Sequence, residues 1–394
     1  MGYSTPYIIL NVILLVLSVL SFTLKTKLSH KILACISMIV FVVFFCFRGY
    51  VQTDTINYYE LFEGLPSEFN GIPQDPHFDT GFLIYMSIFK LLGFNYNQFI
   101  IISSFIDLIL LTVLFRQYFS YKYYALYFYL FIIFTGLEYE FNLMRNIKSV
   151  LLFFMSIKYV YSREFLKFLV LNLIGISFHW SSIIFIPLYF FIHKELSLKS
   201  SCLIFVIGIL IFLIMPYLLT SILQIVSENF SDCKVADKIN TYITIDRFAE
   251  GKSFSLMDIS SMIWYALVII TYNQIKKTSS QTICFINLFI IYFLISCMSS
   301  GMILFRQRVA ILFEPACWLL FIWLLKSQDY RNKVFLYSII ALYGMMLTFR
   351  RTSADILYRY DNFIFTEEVT SMKERAEIFR KIKLEKENNK ELLH

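Results

Sequence analysis

An all-α, polytopic integral membrane protein is the fold class this sequence predicts, and three observations predict it. Of its 394 residues, 58% are hydrophobic and only 16% are charged, where a soluble domain carries about 25% charged residues. Aromatic residues make up 19%, which excludes a disordered chain, since such chains are poor in aromatics and rich in charge. Apolar runs recur along the whole length at roughly 20 residues, the length a helix needs to cross a bilayer. A soluble multidomain enzyme is excluded as well, because too little polar surface exists to cover one.

The elements follow in order. The first apolar run, 3–24, closes on Lys25, Lys27 and Lys31. It has no basic leader region and no small-residue cleavage site, so it reads as a retained helix. A second run covers 32–47. Segment 48–79 then sets one basic residue, Arg48, against six acids. A basic first loop belongs on the cytoplasmic side and an acidic second loop opposite it, which places the N-terminus outside. Residues 80–92 are short for a span and are interrupted by Gly93-Phe94-Asn95-Tyr96-Asn97, reading as a short helix that dips in and returns. Runs at 98–115, 123–137, 147–161, 166–192, 201–226, 257–273, 281–298, 309–325 and 334–349 follow, mostly separated by basic clusters.

The run 166–192 is long, basic at both ends and broken at Ser177-Phe178-His179-Trp180-Ser181-Ser182. It reads as two half-helices meeting at His179, and such breaks are tolerated only where protein or a wet cavity satisfies the backbone. The expectation is about 10–12 membrane helices. They form a single membrane domain over 1–365, with outer loops at 48–79 and 227–256. A tail of mixed charge, 366–394, reads as a surface or frayed helix. The net charge of +7 reports cytoplasmic loops rather than nucleic acid. The seven cysteines form no C-x-x-C pair and read as small buried hydrophobes.

Charged groups at or inside apolar runs are costly in lipid and should face a cavity or a partner. Several lie on the outer side, where positive charge is disfavoured: Arg48, Arg145 and Lys148, Arg306 and Arg308, Arg350 and Arg351. One such arginine is ordinarily an interfacial anchor. Four clusters point to a cationic pocket for a phosphate-rich ligand, which the guanidinium fork suits. Arg145 and Lys148 are three apart and share a helix face. Arg306 and Arg308 are two apart and do not, unless the helix is locally unwound. His179, in its broken run, divides between a structural role and one as general base or donor to a leaving phosphate. Asp54, Asp79, Glu138 and Glu140 read first as solvated loop acids. Asp54 stands out, because Gln52–Tyr59 mixes polar groups with aromatics such as Tyr58, as a sugar site does. No H-E-x-x-H, G-x-S-x-G or Walker loop is present.

Five ordered patches carry a resemblance: Arg48-Gly49-Tyr50-Val51-Gln52-Thr53-Asp54-Thr55-Ile56-Asn57-Tyr58-Tyr59, Asp79-Thr80-Gly81-Phe82-Leu83-Ile84-Tyr85, Met144-Arg145-Asn146-Ile147, Phe178-His179-Trp180-Ser181 and Phe305-Arg306-Gln307-Arg308. Together they resemble the EpsG-type branch of the Wzy-like polysaccharide polymerases of bacterial inner membranes, over roughly 45–315. The sequence departs from that pattern at Gln52, Asp79-Thr80 and Asn146, where the family has glycine, glutamate-proline and glutamine.

The resemblance implies a multi-pass inner-membrane glycosyltransferase. It would move a growing glycan from undecaprenyl diphosphate onto the sugar end of a new lipid-linked repeat unit, on the outer face. It implies no cofactor and no metal, and by analogy a chain-length regulator and a flippase as partners. On that reading His179, Asp54 and Arg145 are the catalytic candidates. Arg48, Arg145, Lys148, Arg306, Arg308, Asp79 and Tyr58 are the candidates for binding the diphosphate and substrate. The alternatives are a polyprenyl-linked glycan ligase or transferase, and a flippase. A flippase needs two alternating faces, and the sequence shows no internal repeat.

Overall fold

In the computed structural model the described residues are 2–68, 71, 75, 78–229, 256–299 and 308–391. Among them every regular element is helical. In chain order these are α1 (Thr5–Thr23), α2 (Lys27–Phe41, extended by a π-helical turn, Val42–Cys46), α3 (Asp54–Gly64), α4 (Thr80–Leu91) and α5 (Tyr96–Tyr118). Next come α6 (Tyr124–Phe131), a second π turn (Ile132–Gly136), α7 (Leu137–Phe141), α8 (Met144–Tyr161), α9 (Phe165–Phe178), a 3₁₀ segment (Trp180–Phe190) and α10 (Leu198–Asn229). The chain closes with α11 (Leu256–Ile270), α12 (Tyr272–Lys276), α13 (Thr282–Met298), α14 (Pro315–Ser327), α15 (Tyr330–Thr352) and α16 (Met372–Glu391). Five of the described helical stretches are long and apolar enough to cross a membrane: Thr5–Thr23, Lys27–Cys46, Tyr96–Tyr118, Leu198–Met215 and Tyr330–Thr352. The all-α polytopic class is therefore as the composition predicts.

The chain divides into two compact units, one of Met1–Ser156, Leu166–Ile186 and Phe335–His394, the other of Ile157–Phe165 and Pro187–Val334. The first unit pairs its helices through polar as well as apolar contacts. On α1 the apolar Ile9, Val12, Val16 and Val19 are exposed, while Asn11, Ser18 and Ser21 are buried. Asn11 Nδ2 donates to Thr348 Oγ1 of α15 at 2.6 Å, and Ser18 meets the Tyr337 hydroxyl at 2.5 Å. Lipid is as apolar as leucine, so helix pairing in a membrane leans on such polar and small-residue contacts. The stretch from Tyr124 to Leu137 is buried on all sides, and α1 and α2 pack against it. A helix apolar all round belongs inside protein or lipid, and here it is a protein core rather than a lipid-facing span.

One segment differs from the sequence expectation. The first outer loop contains a helix, α3, which buries Thr55, Ile56, Tyr58 and Phe62. Its apolar face is aromatic, and it packs with α4 and the start of α5 through Phe82, Phe89, Tyr96 and Phe99. The start of the tail is docked. After α15 the chain returns along the end of α2: Phe363 N–H donates to Phe47 O at 2.8 Å, and Gly49 N–H to Asp361 O at 2.8 Å. Asp361 accepts from Arg375 at 3.3 Å, and Met372, Ala376 and Phe379 of α16 pack on the aromatic layer of α3.

The second unit is a bundle around α13, whose Phe289 and Phe293 are fully buried. The Phe293 ring stacks on Tyr265 at 4.1 Å, and the bare backbone of Gly208 lets α10 approach that ring. Asn287 donates to the carbonyls of Ile192 and Lys194, at 2.7 Å each. Almost all of the second predicted loop, 227–256, lies outside the described residues.

Candidate active site

Three helix ends from distant parts of the first unit meet at one place. Asp79 is the residue before α4, with extended backbone. Arg145 is the second residue of α8, and His179 stands in the break between α9 and the 3₁₀ segment. The meeting depends on a glycine. A Cβ on Gly81 would fall 2.4 Å from Ser177 Oγ and 2.6 Å from Ser177 O, so the start of α4 lies directly against the end of α9. Gly81→Ala is expected to cost about 1–3 kcal/mol by overpacking. Thermal unfolding in detergent would register that as a lowered midpoint, and an unchanged midpoint would mean the two helix ends part without cost.

The break at His179 frees backbone donors in a largely buried place, and they must be satisfied. Asp79 does part of this: the Trp180 N–H donates to Asp79 Oδ1 at 3.1 Å. The other carboxylate oxygen, Oδ2, accepts from Arg145 Nη1 at 3.1 Å and lies 3.6 Å from His179 Nδ1. The Arg145 guanidinium stands over the Phe78 ring at 4.9 Å and the Phe82 ring at 6.0 Å, a cation–π setting that holds it without neutralising it. Tyr58 shapes the wall behind: its ring meets Phe82 edge-on at 5.4 Å, and its hydroxyl donates to Asn142 O at 3.4 Å. The side chains of Arg145, Asp79 and His179 are 15%, 20% and 13% exposed, so the cluster is desolvated yet reachable.

Partial burial raises the Asp79 carboxyl, but the His179 imidazole, the Trp180 N–H and the Arg145 charge outweigh it and hold it below the ordinary carboxylate range. The sign follows. The stability this carboxylate contributes is present above its unfolded value, about 3.9. It is lost only as the pH falls through the lowered folded value. At neutral pH the site holds a fixed carboxylate between a guanidinium and an imidazole. Such a set can grip phosphate oxygens, orient an imidazole and take up a proton.

The other predicted residues sit elsewhere. Arg48 and Lys148, grouped with Arg145 by sequence as facing a diphosphate, are buried and already occupied. Arg48 donates to Phe45 O at 2.5 Å, Ser104 Oγ at 2.6 Å and Glu140 O at 2.5 Å, with its Nη1 3.6 Å from Glu140 Oε2. Lys148 Nζ binds Asp107 Oδ2 and Ser103 Oγ at 2.9 Å each and Met144 O at 3.2 Å. The reason is electrostatic, since a charge removed from water needs partners, and the fold supplies them. Glu140, read as a solvated loop acid, is 1% exposed. Asp54 lies in the first turn of α3, beside Thr55, whose carbonyl accepts from Tyr96 at 3.0 Å. Arg308 is an exposed residue of the second unit, and Arg306 lies outside the described residues. Sequence reasoning passed over Asp107, although an acid in the middle of the apolar run 98–115 is the signal that finds it.

A family model matches the chain over residues 31–364, and its description is the EpsG family. No curated protein and no solved structure matches the chain.

Proposed function

This chain belongs to the EpsG family, and from that premise we propose that it is a polysaccharide polymerase, transferring a growing glycan from undecaprenyl diphosphate to the sugar end of a new lipid-linked repeat unit. The reaction takes place at the outer face of the bacterial inner membrane, and the enzyme is a glycosyltransferase with a lipid diphosphate leaving group. One observation carries the reading: Asp79, Arg145 and His179, from three separate patches of the resemblance, converge on a single carboxylate oxygen.

The chemistry assigns roles to these groups. The acceptor hydroxyl attacks the anomeric carbon, the bond from that carbon to the diphosphate oxygen breaks, and the departing diphosphate carries away the electron pair. Arg145 stabilises the charge growing on that diphosphate, and a preorganised cation at such a place acts strongly because it need not reorganise. His179 takes the acceptor proton through Nε2, with Nδ1 turned toward Asp79. Asp79 orients both partners, as the carboxylate of a nucleophile–histidine–acid set does. The apolar outer faces of the helices accommodate the polyprenyl tail. By analogy with the family, a chain-length regulator and a flippase are the partners proposed for this role.

The size profile of surface glycan tests the reading, in cells lacking the gene, with and without a plasmid copy. The expected result is a single repeat unit in the deletion strain and a ladder once the plasmid is restored. Complete loss of glycan, with lipid-linked units accumulating inside, would identify a flippase and end the catalytic assignments.

A further inference from the structure

Two buried ion pairs bracket Arg145, and both rest on the same helix. On one side Glu140, in α7, is paired with Arg48 and accepts from Ser104 Oγ at 2.9 Å. On the other side Lys148, in α8, is paired with Asp107. Ser103, Ser104 and Asp107 all belong to α5, with Ser103 and Asp107 four apart and therefore on one face. The turn joining α7 to α8, Asn142-Leu143, lies between the two anchors, and Arg145 projects just beyond it. All four charged side chains are at most 3% exposed.

Lys148 has three donors, and Ser103, Asp107 and the Met144 carbonyl take them. The last contact reaches back over the first turn of α8, the turn that carries Arg145. The ammonium also stands over the Tyr85 ring of α4 at 5.5 Å, so the same group touches the helix whose first residue follows Asp79.

We propose that Lys148 and Asp107 are positioning residues for Arg145: their buried pair fixes the first turn of α8 against α5 and so holds the guanidinium at the distance where it meets a lipid diphosphate. Lys148 does not touch the substrate. Stability alone does not explain the arrangement, because a well-packed apolar pair is commonly as stable as a buried ion pair. What the pair adds is a fixed register, and a displacement of about 1 Å at a reacting group is enough to cost on the order of 100-fold in rate. The proposal rests on the reading of Arg145 as the diphosphate-binding cation.

The test is a double-mutant cycle on the full-length protein in detergent. Its readouts are affinity for undecaprenyl diphosphate per mole of folded protein, turnover of a lipid-linked repeat unit, and the thermal midpoint. The variants are Asp107→Asn, which keeps shape and the Lys148 charge, and Lys148→Met/Asp107→Leu, which removes both charges and protects the fold. Each is made alone and in an Arg145→Ala background. The expected result is about a tenfold loss of affinity and on the order of a 100-fold loss of turnover for both variants alone, with no further loss of affinity once Arg145 is gone.

Four results would overturn the proposal. Wild-type affinity and turnover in both variants would mean the pair is packing only. Equal affinity losses in both backgrounds would mean it acts independently of Arg145. A loss confined to variants lacking the Lys148 charge would make Lys148 a direct ligand. Should Arg145→Ala itself bind undecaprenyl diphosphate like the wild type, the fault lies in the reading of Arg145, and the positioning role falls with it.

Discussion

Arg145→Ala is expected to abolish polymerisation while leaving the protein in the membrane at near wild-type level. The loss of rate follows from removing a fixed cation at the leaving group, an effect of about 10²–10³-fold. The protein survives because the residue is partly exposed and its pair with Asp79 is not sealed. Water can reach the vacated position, so the cost stays below the about 3–5 kcal/mol of breaking a fully buried pair. Asp79 also keeps the Trp180 N–H, so the helix break stays closed. Arg145→Lys is expected to recover only part of the activity. It preserves the charge but not the planar fork that binds two phosphate oxygens at once. The measurement is glycan chain length in cells beside an immunoblot of the membrane fraction. Full-length glycan from Arg145→Ala would remove this residue from the reaction.

The contrast between Arg145 and its neighbours shows how far the sequence is legible. The class of fold follows from composition and from the recurrence of apolar runs, because only helices satisfy their own backbone in lipid. The break at His179 is legible too, since polar residues interrupt an otherwise apolar run, and the chain does change from α9 to a 3₁₀ segment there. The convergence of Asp79 with Arg145 and His179 is not. It depends on Gly81 lying against Ser177, a contact between residues about a hundred positions apart that no local pattern encodes. Nor does the sequence separate cations that line a surface from cations consumed inside. Arg48, Arg145 and Lys148 look alike in the chain. Their fates are set by Glu140 and Asp107, one assigned to solvent and the other unremarked. α3 was hidden for a related reason: it lies in a polar, acidic segment, and its apolar face is made of aromatics that match the surface of α4 and α5.

Arg48→Ala is expected to remove the folded protein rather than its chemistry. Arg48 and Glu140 are 3% and 1% exposed at the side chain, so taking away the guanidinium leaves a carboxylate buried without its counter-charge. Breaking a buried pair on one side costs about 3–5 kcal/mol, against a total stability of about 5–15 kcal/mol. The loss goes beyond Glu140. Arg48 also ties the end of α2 to α5 through Ser104, and it is the residue whose backbone bridges Asn362 in the returning C-terminal segment. The α2 end, α7 and that segment should therefore loosen together.

Membrane abundance and detergent thermal stability should both fall sharply for Arg48→Ala. The double variant Arg48→Met/Glu140→Leu should recover a large part of both, because no charge is then stranded. If instead Arg48→Ala is abundant, stable and inactive, the buried pair carries little stability and Arg48 returns to the list of residues that meet the substrate. The two outcomes separate a motif residue that the fold needs from one that the reaction needs. For the arginine heading the first patch of the resemblance, the geometry argues for the fold.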